Sequence, residues 1–332
     1  MTDIKPKSSD REIARELDWT IDSLFPLTDK VAIVTGANSL SSIGGNIALQ
    51  LALKGAKVYV GARSLSKANA GIKEIISQSS SIDPSNLKPF VAAVDEYAAV
   101  RAAAEAFLRK ETRLDILVNN AGIFPLSLEY DQYGINKVMA TNHLGPFLLT
   151  MILLPLLKAT SAATLNSDVR IVNVSSTAID VLPLGHSFAS FEAWNDSFGG
   201  DDYPLQFLHR YSYSKVANVL FTKELQRRLD QNGSRILVTA VHPGVVATPG
   251  AKTVLGVESE EYKACITPYE GALTEAWCAA HPEVRDREDE FKGAFVVPYG
   301  VARGVTGLAE DTEEAEKLWD ASERILAEIV KA

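Results

Sequence analysis

Tyr211 and Lys215 stand four residues apart in the run Tyr211-Ser212-Tyr213-Ser214-Lys215. On a helix that spacing puts both side chains on one face. A phenol ordinarily titrates at about pH 10, too high for proton exchange near neutrality. A neighbouring ammonium favours the phenolate and lowers that value, so the pair reads as an acid–base device. Tyr213 has Ala217 four residues on in place of a lysine, which makes Tyr211 the better candidate. The spacing alone is common, and the bland alternative is a solvated helix face. Its position in the chain is what gives it weight.

A second group of residues suits phosphate. The turn Thr35-Gly36-Ala37-Asn38-Ser39-Leu40-Ser41-Ser42-Ile43-Gly44-Gly45 closes the apolar run KVAIVT and opens the helical run IALQLALKG. Glycines let the backbone approach a pyrophosphate, and the helix start offers free N–H groups and its positive dipole end. Gly36, Asn38, Ser39, Ser42, Ile43 and Gly44 are the candidate contacts. At the tip of the next strand stand Arg63 and Ser64, with no carboxylate. A carboxylate there would bind a ribose 2′-hydroxyl, whereas a forked guanidinium suits a 2′-phosphate. NADP(H) is therefore preferred over NAD(H).

These residues need strands and helices to hold them. KVAIVT, KVYVGA, PFVAAVD, DILVNNAG, VRIVNVSS, RILVTAVHPG and GAFVVP read as seven strands. They are continuously apolar, the mark of strands covered on both faces. Helical patterns alternate with them, over about 97–110, 133–158, 211–231, 268–280 and 312–330. The expected architecture is an α/β doubly wound Rossmann fold, with a mainly parallel seven-stranded sheet in a single domain. Residues 1–29 are a polar lead-in, with a helix expected from a Ser9 cap to about Asp22. The domain proper is expected to run over 30–332, with substrate-side insertions at 177–210 and 249–268.

Several of these motifs together resemble the short-chain dehydrogenase/reductase family, from about Lys30 to Thr248 and more loosely to Leu326. The carriers are the glycine turn, Asn119-Asn120-Ala121-Gly122, Thr141-Asn142-His143-Leu144-Gly145, the Tyr211/Lys215 pair and His242-Pro243-Gly244. The phosphate loop departs from the family's pattern by two extra residues within Leu40–Ser42, and Ser42 replaces its middle glycine. The resemblance implies Ser176 and Asn142 as catalytic partners of Tyr211 and Lys215. It implies that Asn119 ties neighbouring strands together. It implies cofactor contacts at Asp95, Asn120, Ala121, Gly122, Pro243, Gly244, Val246 and Thr248. The runs NHLGPFLLT, YSYSKVANVLF and LWDASERIL are similar to retinol-dehydrogenase-like and protochlorophyllide-reductase-like members.

The 332 residues carry a net charge of −9, most of it in 281–332, which argues against a nucleic-acid partner. Cys265 and Cys278 form no zinc or disulfide pattern, and the charged start is neither a signal peptide nor an anchor. The histidines show no ligand spacing, so no metal site is read. The longest apolar run, Phe147–Leu157, is too short for a membrane span. A cytoplasmic setting is expected, with a small-molecule substrate and a homo-oligomer left open. Aromatic residues in 177–210 suggest a bulky apolar or aromatic carbonyl or alcohol substrate, or else merely fold that insertion onto the domain. The alternatives are reduction of a conjugated C=C bond, NAD-dependent oxidation, or a non-catalytic nucleotide-binding regulator.

Overall fold

The computed structural model describes residues 16–164, 167–200 and 203–331. Its strands are β1 (Val31–Val34), β2 (Lys57–Ala62), β3 (Leu87–Val91) and β4 (Ile116–Asn119), then β5 (Arg170–Val174), β6 (Leu237–Val241), β7 (Phe295–Val297) and β8 (Val301–Arg303). They form one sheet in the order β3-β2-β1-β4-β5-β6-β7-β8, parallel except for the last pairing. The order reverses between β1 and β4, and a crevice opens there beyond the carboxyl ends of the strands. The eighth strand corrects the expected seven. Val301–Arg303 is only three residues long and flanked by glycines, so it leaves no apolar run in the sequence.

The principal helices are α1 (Ile43–Leu53), α2 (Leu65–Ile76), α3 (Tyr97–Leu108), α4 (Gly145–Ala162), α5 (Gln206–Gln231), α6 (Leu273–Ala280) and α7 (Thr312–Lys331). Alternate strand residues feed two cores, as a sheet with period-two side chains requires. Ile33, Leu117, Ile171 and Val238 pack beneath α3, α4, α5 and α7. Ala32, Val34, Val118 and Val172 pack beneath α1 and α6. Helix α4 and the turns before it, 137–162, are long and apolar enough to cross a bilayer, but most of that stretch is buried here.

Two expectations are adjusted and one open alternative is settled. The lead-in helix lies largely outside the described residues, and 16–20 are not helical. Thr20 instead caps a single 3-10 turn, Ile21–Ser23, and Trp19, Leu24 and Leu27 anchor the lead-in to the second core. Helix α5 begins at Gln206, five residues before Tyr211. Within 177–210 the sequence left two roles open for the aromatics, and Phe188, Trp194 and Phe198 take the folding one, buried in the first core. Phe188 stacks on Tyr213 (4.1 Å) and Trp194 meets the edge of His143 (5.5 Å).

Candidate active site

Strand β5 and helix α5 bring the candidate chemistry together. Ser175 and Ser176 follow β5, and their side chains diverge. The Ser175 hydroxyl is buried and donates to the Lys215 carbonyl (2.8 Å), a structural tie to α5. Ser176 caps the turn Thr177–Val181, accepting from the Ala178 N–H (3.1 Å), and its hydroxyl also hydrogen-bonds the Tyr211 phenol. Lys215 is buried and its Nζ donates to the Val174 carbonyl (2.9 Å), 5.4 Å from the centre of the Tyr211 ring.

The electrostatics differ from the sequence expectation. Burial pushes the Tyr211 phenol up to about 12, opposed only by the Ser176 hydrogen bond. Burial also draws Lys215 down to about 8. With its ammonium turned to a carbonyl, Lys215 does not offset the apolar surroundings of the phenol. Tyr211 therefore stays protonated at neutral pH, the form that can donate to a carbonyl oxygen.

Asn142 stands behind this pair, in a π-helical turn, Ala140–Leu144, that precedes α4. Such turns leave a backbone carbonyl without its usual partner. Here the Asn218 amide donates to the Asn142 carbonyl (2.7 Å). The Asn142 side chain accepts from the Ile123 N–H (2.8 Å) and donates to the Ser214 hydroxyl (2.9 Å). Asn119 donates to Thr150 (2.9 Å) and Asn173 (2.8 Å), tying β4 to α4 and β5.

A cleft of about 690 Å³ runs from Arg63 to Tyr211. At one end lie Gly36, Asn38, Ser39, Ser42 and Ile43, with Arg63 beside them. Its middle holds Asn120, Ala121 and Gly122. The far end holds Ser176, Tyr211 and Lys215, facing Pro243, Gly244, Val246 and Thr248. Gly44 lies just behind, and it must be glycine: a Cβ there would sit 2.3 Å from the Asn120 side chain and 2.5 Å from the Gly36 carbonyl. Ser64 caps α2 through the Lys67 N–H (3.3 Å), outside the cleft wall. Asp95 also lies outside it, next to the lining residue Val94.

Some lining residues were missed by sequence reasoning. Lys67 borders the cleft with Arg63, and their four-residue spacing was the available signal. Phe124 and Leu208 line the Tyr211 end. His242 lines it too, with its Nε2 3.3 Å from the Thr177 hydroxyl. Burial, then the charges of Arg303 and Lys215, hold that imidazole neutral, down at about 3.

The family model for short chain dehydrogenase matches residues 30–187. The short chain dehydrogenase/reductase dpchH of Colletotrichum higginsianum is 37% identical over 308 residues, covering 91% of this chain and 76% of the relative. The chain belongs to the short-chain dehydrogenase/reductase family. Among its members, human retinol dehydrogenase 12 is 33% identical, covering 90% of this chain and 87% of its own length. A solved protein from Mycobacterium paratuberculosis superposes with a TM-score of 0.68 at 27% identity, covering 92% of this chain and 97% of that one. A short-chain type dehydrogenase/reductase from Mycobacterium marinum shares the fold (TM-score 0.62, 21% identity, coverage 85% and 98%).

As a family member the protein is an oxidoreductase that uses a nicotinamide dinucleotide. The residues present fit one. Gly36 and Gly44 pack too closely against each other and Asn120 for a Cβ at Gly44, so backbone lies bare at the turn from β1 to α1, where a pyrophosphate approaches. Ser42 takes the Gly45 N–H as cap (3.3 Å), while the earlier first-turn N–H groups have no intrahelical acceptor.

Proposed function

We propose that the protein is an NADP(H)-dependent short-chain reductase or dehydrogenase acting on the carbonyl or alcohol of a bulky apolar or aromatic substrate. One arrangement carries the reading: the Ser176–Tyr211 hydrogen bond closes one end of a cleft whose other end holds Arg63 and Lys67. Among the described residues Arg63 has no ion-pair partner, so its guanidinium is available to a 2′-phosphate. Hydride transfer is the chemistry a bound nicotinamide supplies.

The chain's own residues do the rest. Tyr211, protonated, donates to the substrate oxygen during reduction and takes the proton back during oxidation. Ser176 hydrogen-bonds the same oxygen and orients the phenol. Lys215, its ammonium held by the Val174 carbonyl 5.4 Å from the Tyr211 ring, is placed to hold the nicotinamide ribose, and Asn142 fixes the backbone around it. Phe124, Leu208, Val245 and Leu255 give the substrate end apolar walls, which supports an apolar substrate.

The test is NADPH and NADH oxidation against aromatic and aliphatic ketones, with Tyr211→Phe and Arg63→Ala alongside. NADPH turnover should fall about 100-fold or more in Tyr211→Phe while NADPH still binds. Arg63→Ala should weaken NADPH about tenfold and NADH much less. Turnover untouched by Tyr211→Phe would overturn the acid–base assignment; equal losses for both cofactors would overturn the 2′-phosphate role.

A further inference from the structure

The phosphate loop is two residues longer than the family pattern, and the extra length is held in place. From the α1 side, the Asn46 amide donates to the Leu40 carbonyl (2.8 Å) and the Ser42 carbonyl (2.9 Å). The Ser42 hydroxyl donates to the Ser39 carbonyl (2.7 Å). From the opposite side a single side chain reaches across from α2. The Glu74 carboxylate accepts from the Leu40 N–H at 2.7 Å and from the Ser39 hydroxyl at 3.2 Å. Ser39 passes this on, lying 2.9 Å from the Ser41 hydroxyl and accepting from the Ser41 N–H (3.1 Å).

A carboxylate is a poor neighbour for a pyrophosphate, because like charges repel. Its presence needs a compensating gain, and the short bond to a backbone N–H supplies one. Ser39, Ser41 and Ser42 line the cleft, whereas Leu40 and Glu74 stand behind it. Glu74 also shares α2 with Lys67, two turns away. The helix that presents a cation at its first turn therefore props the phosphate loop at its last.

We propose that Glu74 is a positioning residue for the dinucleotide's phosphates, its carboxylate oxygen fixing the enlarged loop Ser39–Ser42 in binding shape. The proposal rests on the reading that the cleft takes a pyrophosphate dinucleotide. It depends on an acceptor oxygen at that point and not on the charge, so glutamine should substitute and alanine should not.

The experiment measures dissociation constants by calorimetry for wild type, Glu74→Ala and Glu74→Gln. The ligands are NADPH and adenosine 2′-monophosphate, which carries the 2′-phosphate but no pyrophosphate. Glu74→Ala should weaken NADPH about tenfold, the scale of one hydrogen bond. Adenosine 2′-monophosphate should bind all three proteins alike, and Glu74→Gln should hold NADPH nearly as wild type does. Unchanged NADPH binding in Glu74→Ala overturns the proposal. So does an equal loss of both ligands, which would mean that α2 itself has moved. So does a glutamine variant as weak as alanine, which would make charge the cause. If wild type ignores adenosine 2′-monophosphate and prefers NADH, the 2′-phosphate reading fails separately; the same comparison with NADH then decides the role of Glu74.

Discussion

The Phe124 ring lies on the Tyr211 ring, with centroids 4.2 Å apart and planes 22° from parallel. Phe207 backs Phe124 at 5.7 Å. The stack is one wall of the cleft and also part of the apolar cover that keeps the phenol protonated. Phe124→Ala should remove both effects. We expect kcat/KM for aromatic ketones to fall about tenfold, the scale of a lost aromatic pair and its buried area. Small aliphatic ketones, which do not reach the ring, should lose little. Steady-state kinetics over a graded substrate series checks this, and an equal loss for all substrates would refute the wall assignment.

Lys215 sets the expected pH profile. Its ammonium, lowered to about 8 by burial, is charged at pH 7 and loses its proton above about 8. The Tyr211 phenol at about 12 and the His242 ring at about 3 both titrate outside the working range. Reduction measured as kcat/KM should therefore decline as pH rises through about 8, since that ratio reports the free enzyme's essential groups. Lys215→Arg keeps its charge throughout and should lose this limb, on a lower plateau. A limb that persists in Lys215→Arg would belong to another group.

Much of this site was legible because its residues sit at fixed places on regular elements. Gly36, Asn119 and Ser176 each mark the carboxyl end of an apolar strand, and Tyr211 and Lys215 mark one helical turn. The apolar runs of β1, β2 and β4 to β7 were equally plain, but β3 runs over Leu87–Val91, ahead of the expected PFVAAVD, because at the sheet edge its Lys88, Pro89 and Val91 face outward. Other features depend on contacts between distant segments. The sign of the Tyr211 shift follows from how deeply Phe124 and the fold bury it, which spacing does not encode. Strand β8 exists because a tight turn folds it back on β7, not because its residues demand a strand. For Phe188, Trp194 and Phe198 the sequence left a pocket role and a packing role open, and tertiary packing draws them onto Tyr213 and the first core.

Glu275 makes a prediction about stability. It is fully buried on α6, and among the described residues neither carboxylate oxygen has a hydrogen-bond partner. Burial raises it from 4.5 to about 8. Nearby, burial pushes the Cys278 thiol up to about 12, so it too stays protonated. Arg170 is engaged by Asp168 and by the Cys278 and His281 carbonyls. Between pH 4.5 and about 8 the unfolded chain has released the Glu275 proton while the folded chain retains it. Folding is thus undiminished by this group below the lower value. Stability falls as pH rises toward the upper one, by about 1.4 kcal/mol per unit. Glu275→Gln is neutral throughout and should lose that slope. In urea-unfolding series from pH 5 to 8, the variant should gain on wild type by a few kcal/mol, about the integral of that slope. Parallel curves would show that Glu275 is ionised, or solvated, in the folded protein. The same variant separates the two effects expected near pH 8. If the kinetic limb arises from Lys215, it survives Glu275→Gln unchanged; if it reflects unfolding driven by Glu275, it disappears with the stability slope.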